Sequence, residues 1–214
     1  MNILRESSRP SRFDSLESCL PESRVVTIGT FDGFHRGHRA LIESTVRRAR
    51  VLGVRATAIT FEPVPAAVLR PDRFPGRICS AEAKLRLLAA TDLDDIVTLG
   101  FDRQFASQTP EEFMDAVRAT GMTELWVGEA FALGKDRAGG IERLRSIGEA
   151  RGFAVQALRR ETDQDEVISS SAIRKASSRL PLALTRSVPI GKLAPKGASH
   201  VALDFGANLE VATS

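Results

Sequence analysis

The sequence predicts an α/β protein, a parallel sheet wrapped by helices, followed by a small C-terminal β appendage. Three observations carry that expectation. Short apolar runs alternate with segments whose apolar residues recur at helical spacing, the alternation that builds βαβ units with right-handed crossovers. The loops of unusual composition all follow apolar runs, which places them at the C-terminal strand ends where such sheets gather ligands. From Leu180 onward the pattern changes, punctuated by Pro181, Pro189 and Pro195. The expected organisation is a lead-in over 1–24, the main domain over 25–179 and the appendage over 180–214.

Taken in order, residues 1–24 are polar, with Phe13, Leu16 and Leu20 spaced for a short amphipathic turn. Residues 24–30 read as a buried strand. Residues 37–52 read as a helix with Leu41, Ile42, Thr45, Val46 and Ala49 on one face, Arg47, Arg48 and Arg50 outside, and Gly53 as its stop. Residues 54–61 form a second strand, apolar enough for the interior of a parallel sheet. It ends at Glu62-Pro63-Val64-Pro65, where two prolines predict an extended, rigid loop. Ser80 caps a helix carrying Lys84, Leu85, Leu87 and Leu88, and 95–99 is a third strand. Thr109-Pro110-Glu111-Glu112 starts a helix with a cap, a proline at the first position and acids for the dipole; Phe113 and Val117 face inward. A strand over 124–127 leads into a glycine-bearing loop over 128–140, then a helix over 141–151 and a strand over 153–158. Ser169-Ser170-Ser171-Ala172-Ile173-Arg174-Lys175 reads as a capped short helix. Residues 188–193, 200–204 and 209–212 suit short strands.

With 43% hydrophobic and 27% charged residues among 214, the chain is of ordinary globular composition and can bury a full core. A net charge of +3 fits a protein that handles phosphates. Nucleic acid is not the expected partner: no basic run is interleaved with aromatics, and tyrosine is absent. Cys19 and Cys79 stand far apart, which gives neither a disulfide framework nor a zinc ribbon. No apolar leader and no bilayer-length apolar run appears, so a reducing cytoplasm and no membrane are expected.

The most informative stretch is Gly29-Thr30-Phe31-Asp32-Gly33-Phe34-His35-Arg36-Gly37-His38. A strand feeding a glycine turn feeding a helix is where a phosphate sits, because the turn lets backbone approach and the helix start offers N–H groups and partial positive charge. Two imidazoles there can stabilise charge spread over a phosphoryl group during nucleotidyl transfer, with Gly37 leaving room for the phosphate. Zinc would need more ligands, and only His200 and the two cysteines remain. Ser169, Ser170, Ser171 and Arg174 form a second anion site of hydroxyls, N–H groups and a guanidinium, suited to the outer phosphates of a triphosphate. Arg77 and Lys84 can add positive charge near a leaving group or sit on the surface, and Asp32 can hold the turn through an Asx contact. No carboxylate cluster reads as a dedicated metal cage, so Mg2+ carried mainly by substrate phosphates is expected.

The string His35-Arg36-Gly37-His38 resembles the signature of the HxGH nucleotidyltransferases, a Rossmann-like parallel fold. The series running from Gly29 to His38, through Thr60-Phe61-Glu62-Pro63, Arg77 with Lys84, Phe101 with Phe105 and the glycine loop beginning Val127-Gly128-Glu129, to the run from Ile168 to Arg174 resembles the adenylyltransferase domain of bacterial bifunctional riboflavin kinase/FMN adenylyltransferases. The resemblance implies transfer of AMP from ATP to FMN, giving FAD and pyrophosphate. It implies catalytic roles for His35, His38 and Arg174. ATP binding falls to Gly29, Thr30, Phe31, Asp32, Gly37, Lys84, Gly128, Ser169, Ser170 and Ser171, and flavin binding to Phe61, Pro63, Val64 and Phe131. Where that family usually has histidine after Glu-Pro, Val64 stands here, and Ala130 and Ala132 flank Phe131 in place of polar residues. These departures all fall on the expected acceptor side. They leave open a different small phosphorylated acceptor, or a degenerate nucleotide- or flavin-binding protein. After Leu180 no Gly-x-Pro-Thr-Ala-Asn pattern occurs and about thirty residues are too few for the kinase barrel, so no riboflavin kinase activity is expected.

Overall fold

Six parallel strands form one sheet in the order β1-β4-β3-β2-β5-β6. They are β1 Ser11–Phe13, β2 Arg24–Ile28, β3 Arg55–Glu62, β4 Asp95–Gly100, β5 Met122–Gly128 and β6 Ala154–Leu158. The structure, a computed structural model, describes residues 9–159. The expected capped helix at Ser169 and the β appendage after Leu180 lie outside the described residues.

Every residue of β2 is buried, as expected of a strand covered on both faces. Val25 faces one apolar layer and its neighbours Val26 and Ile28 the other, the period-two alternation of a strand. Helices α1 Arg36–Leu52 and α3 Ala81–Ala89 cover one face, through Leu41, Ile42, Ala49 and Leu88. Helices α5 Pro110–Ala119 and α6 Ile141–Arg151 cover the other, through Phe113, Met114, Val117, Leu144 and Ile147. Each of the larger of these side chains contributes about 1.5–3 kcal/mol on full burial.

The helix ends follow their sequence signals. Gly53 ends α1 at φ 67°, its N–H donating to the Ala49 and Arg50 carbonyls. Ser80 caps α3 by accepting the Ala83 N–H at 3.1 Å. Thr109 and Glu112 form a reciprocal capping box on α5. The Arg24 guanidinium, 1% exposed, lies at the N-terminal edge of the sheet on Asp95 and Thr57, and Arg55 takes the other oxygen of Asp95 at 2.5 Å. This ion network lies at the sheet end opposite the ligand-gathering one.

Two local expectations are corrected. The lead-in supplies β1, which pairs with β4 from Ser11↔Asp95 to Phe13↔Val97, and Leu16 and Cys19 join the core while Leu20 stays 68% exposed. Ser-Arg-Phe carries no strand pattern of its own; the strand exists because it covers the open edge of β4. Beyond Pro63 the chain is not extended throughout. Pro65 opens a short helix, α2 Pro65–Leu69, because proline is well tolerated at a first helical position, where its missing N–H is not needed. A four-residue helix, α4 Arg103–Ala106, capped by Asp102, follows β4.

Candidate active site

The strand order reverses at β2, which has β3 on one side and β5 on the other. At that switch point, beyond the C-terminal strand ends, lies an open cleft of about 1670 Å³. The turn after β2 forms one wall. It holds two phenylalanines in left-handed backbone, Phe31 at φ 48° and Phe34 at φ 38°, and Gly33 at φ 77°. For bulky residues that region is an outlier sustained only by its surroundings.

The turn delivers both histidines to the mouth of α1. His35 is the N-cap, in extended backbone, and its Nδ1 accepts the His38 N–H at 3.4 Å. The two rings stack with centroids 3.7 Å apart, and the edge of Phe31 meets His38 at 5.3 Å. A side chain at Gly37 would begin 3.3 Å from the His35 ring, so this glycine makes room for the imidazole. Gly29 has the same relation to Phe31, whose ring would lie 3.0–3.3 Å from an added Cβ.

The first turn of α1 contains no acid and opens with Arg36. On α5 the reverse holds, with Glu111 and Glu112 compensating the dipole. A helix start that stacks positive charge on its own positive end is set to receive an anion. The cleft repeats that bias: Arg36, Arg47, Arg70, Arg103, Arg137 and Arg159 line it with Lys135, against the acids Glu43 and Asp136.

The opposite side is aromatic. Phe61, at the end of β3, meets Phe101 at 5.7 Å and Phe105 at 5.8 Å, and Phe105 meets Phe113 at 5.4 Å. Phe131 packs against the same layer. The loop carrying it is tied down: Leu133 and Gly139 bridge, the Lys135 N–H donates to the Gln108 carbonyl at 3.0 Å, and Gly134 abuts the Pro110 ring.

Of the residues expected at the site, Gly29, Thr30, Phe31, His35, Gly37, His38, Gly128, Phe61 and Phe131 converge on the cleft. Five others do not line it. Lys84 is fully buried beneath it, donating to the Phe61 carbonyl at 2.8 Å and pairing with Glu62 at 3.1 Å. Arg77 grips the same carboxylate with both terminal nitrogens, at 2.5 and 2.9 Å. Burial pushes Glu62 up, but the bonds from Arg77 and Lys84 outweigh it and hold the group below the usual carboxylate range. Asp32, 1% exposed, is turned away from the cleft towards the Ile78 and Cys79 N–H groups. Val64 is 2% exposed and faces the interior as the residue preceding α2, and Pro63 lies outside the lining. That wall is instead made by Pro65, Ala66, Leu69 and Arg70. The Val64 departure therefore falls in packing, whereas Ala130 and Ala132 do line the cleft. Ser169, Ser170, Ser171 and Arg174 lie outside the described residues. The cleft arginines past strand ends were missed; a cation shortly beyond β3, β4 and β6 was the signal available.

The FAD synthetase family model matches residues 18–172. That span includes the histidine turn, the aromatic wall and the glycine loop. The chain belongs to the FAD synthetase family. It is 34% identical over 176 residues to a bifunctional riboflavin kinase/FMN adenylyltransferase of Escherichia coli K12, covering 81% of this chain and 56% of that protein. It is 34% identical over 161 residues to a putative bifunctional riboflavin kinase/FMN adenylyltransferase of Geobacillus thermodenitrificans, covering 75% of this chain and 85% of the relative. The fold matches a crystal structure of a macrolide-efflux protein from Streptococcus pneumoniae with a TM-score of 0.68 at 26% identity, over 79% of this chain and 56% of that one. The chain thus spans about half the length of the Escherichia coli relative.

Proposed function

We propose that this chain is an FMN adenylyltransferase, transferring AMP from ATP to the phosphate of FMN with release of pyrophosphate. The observation that carries the reading is the stacked imidazole pair at an acid-free helix start, facing the switch-point cleft of an FAD synthetase family fold. A phosphate oxygen of FMN attacks the α-phosphorus of ATP, and the bond to pyrophosphate breaks in line. Negative charge builds on the α-phosphoryl oxygens, where His35, His38 and the N-terminus of α1 stabilise it. The cleft arginines hold two anionic substrates close together, and Phe61, Phe105 and Phe131 offer ring faces to the flavin. Ser169, Ser170, Ser171 and Arg174 would take the outer phosphates.

Among the described residues no group of three or more His, Cys, Asp or Glu side chains could hold a metal ion. Mg2+ would enter on the nucleotide's phosphates and supply charge neutralisation there. Among the described residues no helix is long and apolar enough to cross a membrane. Cys19 and Cys79 are both free, which suits work in a reducing cytoplasm.

Incubation with Mg-ATP and FMN, followed by chromatography, should yield FAD and pyrophosphate; their absence overturns the reading. Ala130 and Ala132 in the lining favour a second reading, a different small phosphorylated acceptor. A panel of acceptors scored by pyrophosphate release separates the two.

A further inference from the structure

We infer that Asp32 is a positioning residue for the imidazole pair: its buried carboxylate ties the histidine turn to Ile78 and Cys79 and so fixes where His35 and His38 point. The inference rests on the adenylyl-transfer reading above. Asp32 Oδ1 accepts the Ile78 N–H at 3.0 Å and the Cys79 N–H at 3.2 Å, and Oδ2 accepts the Ile78 N–H at 3.2 Å. Hydrogen bonds to an ionised acceptor are among the strong ones, and these are shielded from water.

The attachment is two-sided. The Gly33 N–H donates to Cys79 Sγ at 3.4 Å, and the Ile78 side chain closes on Gly33 so tightly that an added Cβ would lie 2.6 Å from its Cγ2. Asp32 and Gly33 stand between Phe31 and Phe34, the two phenylalanines of this turn at positive φ. Phe31 touches the His38 ring, and Phe34 directly precedes His35. The strained turn is held at its centre by the carboxylate, and the rings hang from its two ends. The anchoring segment is itself fixed, because Arg77 grips Glu62 at the end of β3.

The test compares Asp32→Ala and Asp32→Asn, each alone and combined with His38→Ala. Asp32→Ala should lower kcat about 30–100-fold, because a displacement of about an ångström at the reacting centre costs that much. KM for ATP should stay within about threefold, since binding is spread over other groups. In the His38→Ala background the same change should cost several-fold less than in the wild type, because one of the two groups it positions is gone. Asp32→Asn, which keeps one acceptor oxygen, should lose less.

Imidazole NMR provides a readout independent of turnover. The chain has three histidines, two of them in this turn, and those two ring signals should move in Asp32→Ala without any nucleotide present. Equal losses in both backgrounds, or unmoved ring signals, overturn the inference. Should Asp32→Ala not fold, Asp32→Asn carries the test; failure of both to fold makes the carboxylate a requirement of the fold and overturns it too. If the wild-type chain forms no FAD, the functional reading fails and the ring signals alone decide the role of Asp32.

Discussion

The imidazoles of His35 and His38 lie face to face, 3.7 Å between centroids and 22° from parallel. The pairing follows from capping. His35 occupies the N-cap in extended backbone, so its ring folds over the first turn of α1, where His38 is the third helical residue and donates its N–H to the His35 ring. One geometry gives the helix its cap and sets two donors side by side.

These two duties separate by mutation. His35→Ala and His38→Ala should each cut FAD formation by 10²–10³, roughly 3 kcal/mol of transition-state stabilisation. His35→Ala should also lose about 1 kcal/mol of stability with the cap. His35→Asn, which caps equally well, should recover the unfolding midpoint while leaving turnover low. Equal midpoints for the alanine and asparagine variants would separate His35 from capping.

Gly33→Ala should be damaging without removing any polar group. The position sits at φ 77°, and an added Cβ would overlap the Ile78 side chain at 2.6 Å. Positive φ and overpacking together predict a loss of about 2 kcal/mol or more, read as a lowered urea midpoint.

Lys84→Met should act on stability and not on nucleotide affinity. The ammonium is buried against Glu62 and the Phe61 carbonyl; removing it leaves Glu62 to Arg77 alone and the Phe61 carbonyl without this donor, at a cost of about 1–3 kcal/mol. KM for ATP should be unchanged in the folded fraction. A rise in KM with an unchanged unfolding midpoint would put Lys84 on the nucleotide.

Glu62 sets a pH dependence. Its folded-state pKa is lowered from the ordinary value of 4.5, burial being outweighed by Arg77 and Lys84. Its contribution is therefore complete above pH 4.5 and is lost as the pH falls from there through the lowered folded value. Urea midpoints taken from about pH 6 down to about pH 3 should show a shallower acid decline in Glu62→Gln than in the wild type. Parallel curves would mean that Glu62 does not contribute to the decline.

Phe105→Ala should weaken the aromatic wall. Its ring contacts Phe61, Phe101 and Phe113 within 5.8 Å. Loss of stacking at about 0.5–1.5 kcal/mol per pair predicts KM for FMN up to about tenfold higher. KM for ATP should stay constant.

Much of the fold and half of the site could be read from the order of residues. Alternating periodicities set the parallel α/β sheet, because βαβ units allow few other arrangements. Gly53, Ser80 and the Thr109 box set helix ends, because capping is local hydrogen bonding. The geometry of the histidine turn was legible for the same reason: cap, glycine and imidazoles are neighbours in the chain. What depended on distant partners was not legible. Ser11–Phe13 became a strand only because β4 offered an edge. Lys84 and Asp32, both plausible nucleotide ligands by type, were drawn inward by Glu62 and by the Ile78 and Cys79 amides. Val64 turned to the interior while Arg70 and Arg103 reached the cleft. A side chain's direction at a strand end is set by which group across the fold meets its charge, and that is decided only when the sheet assembles.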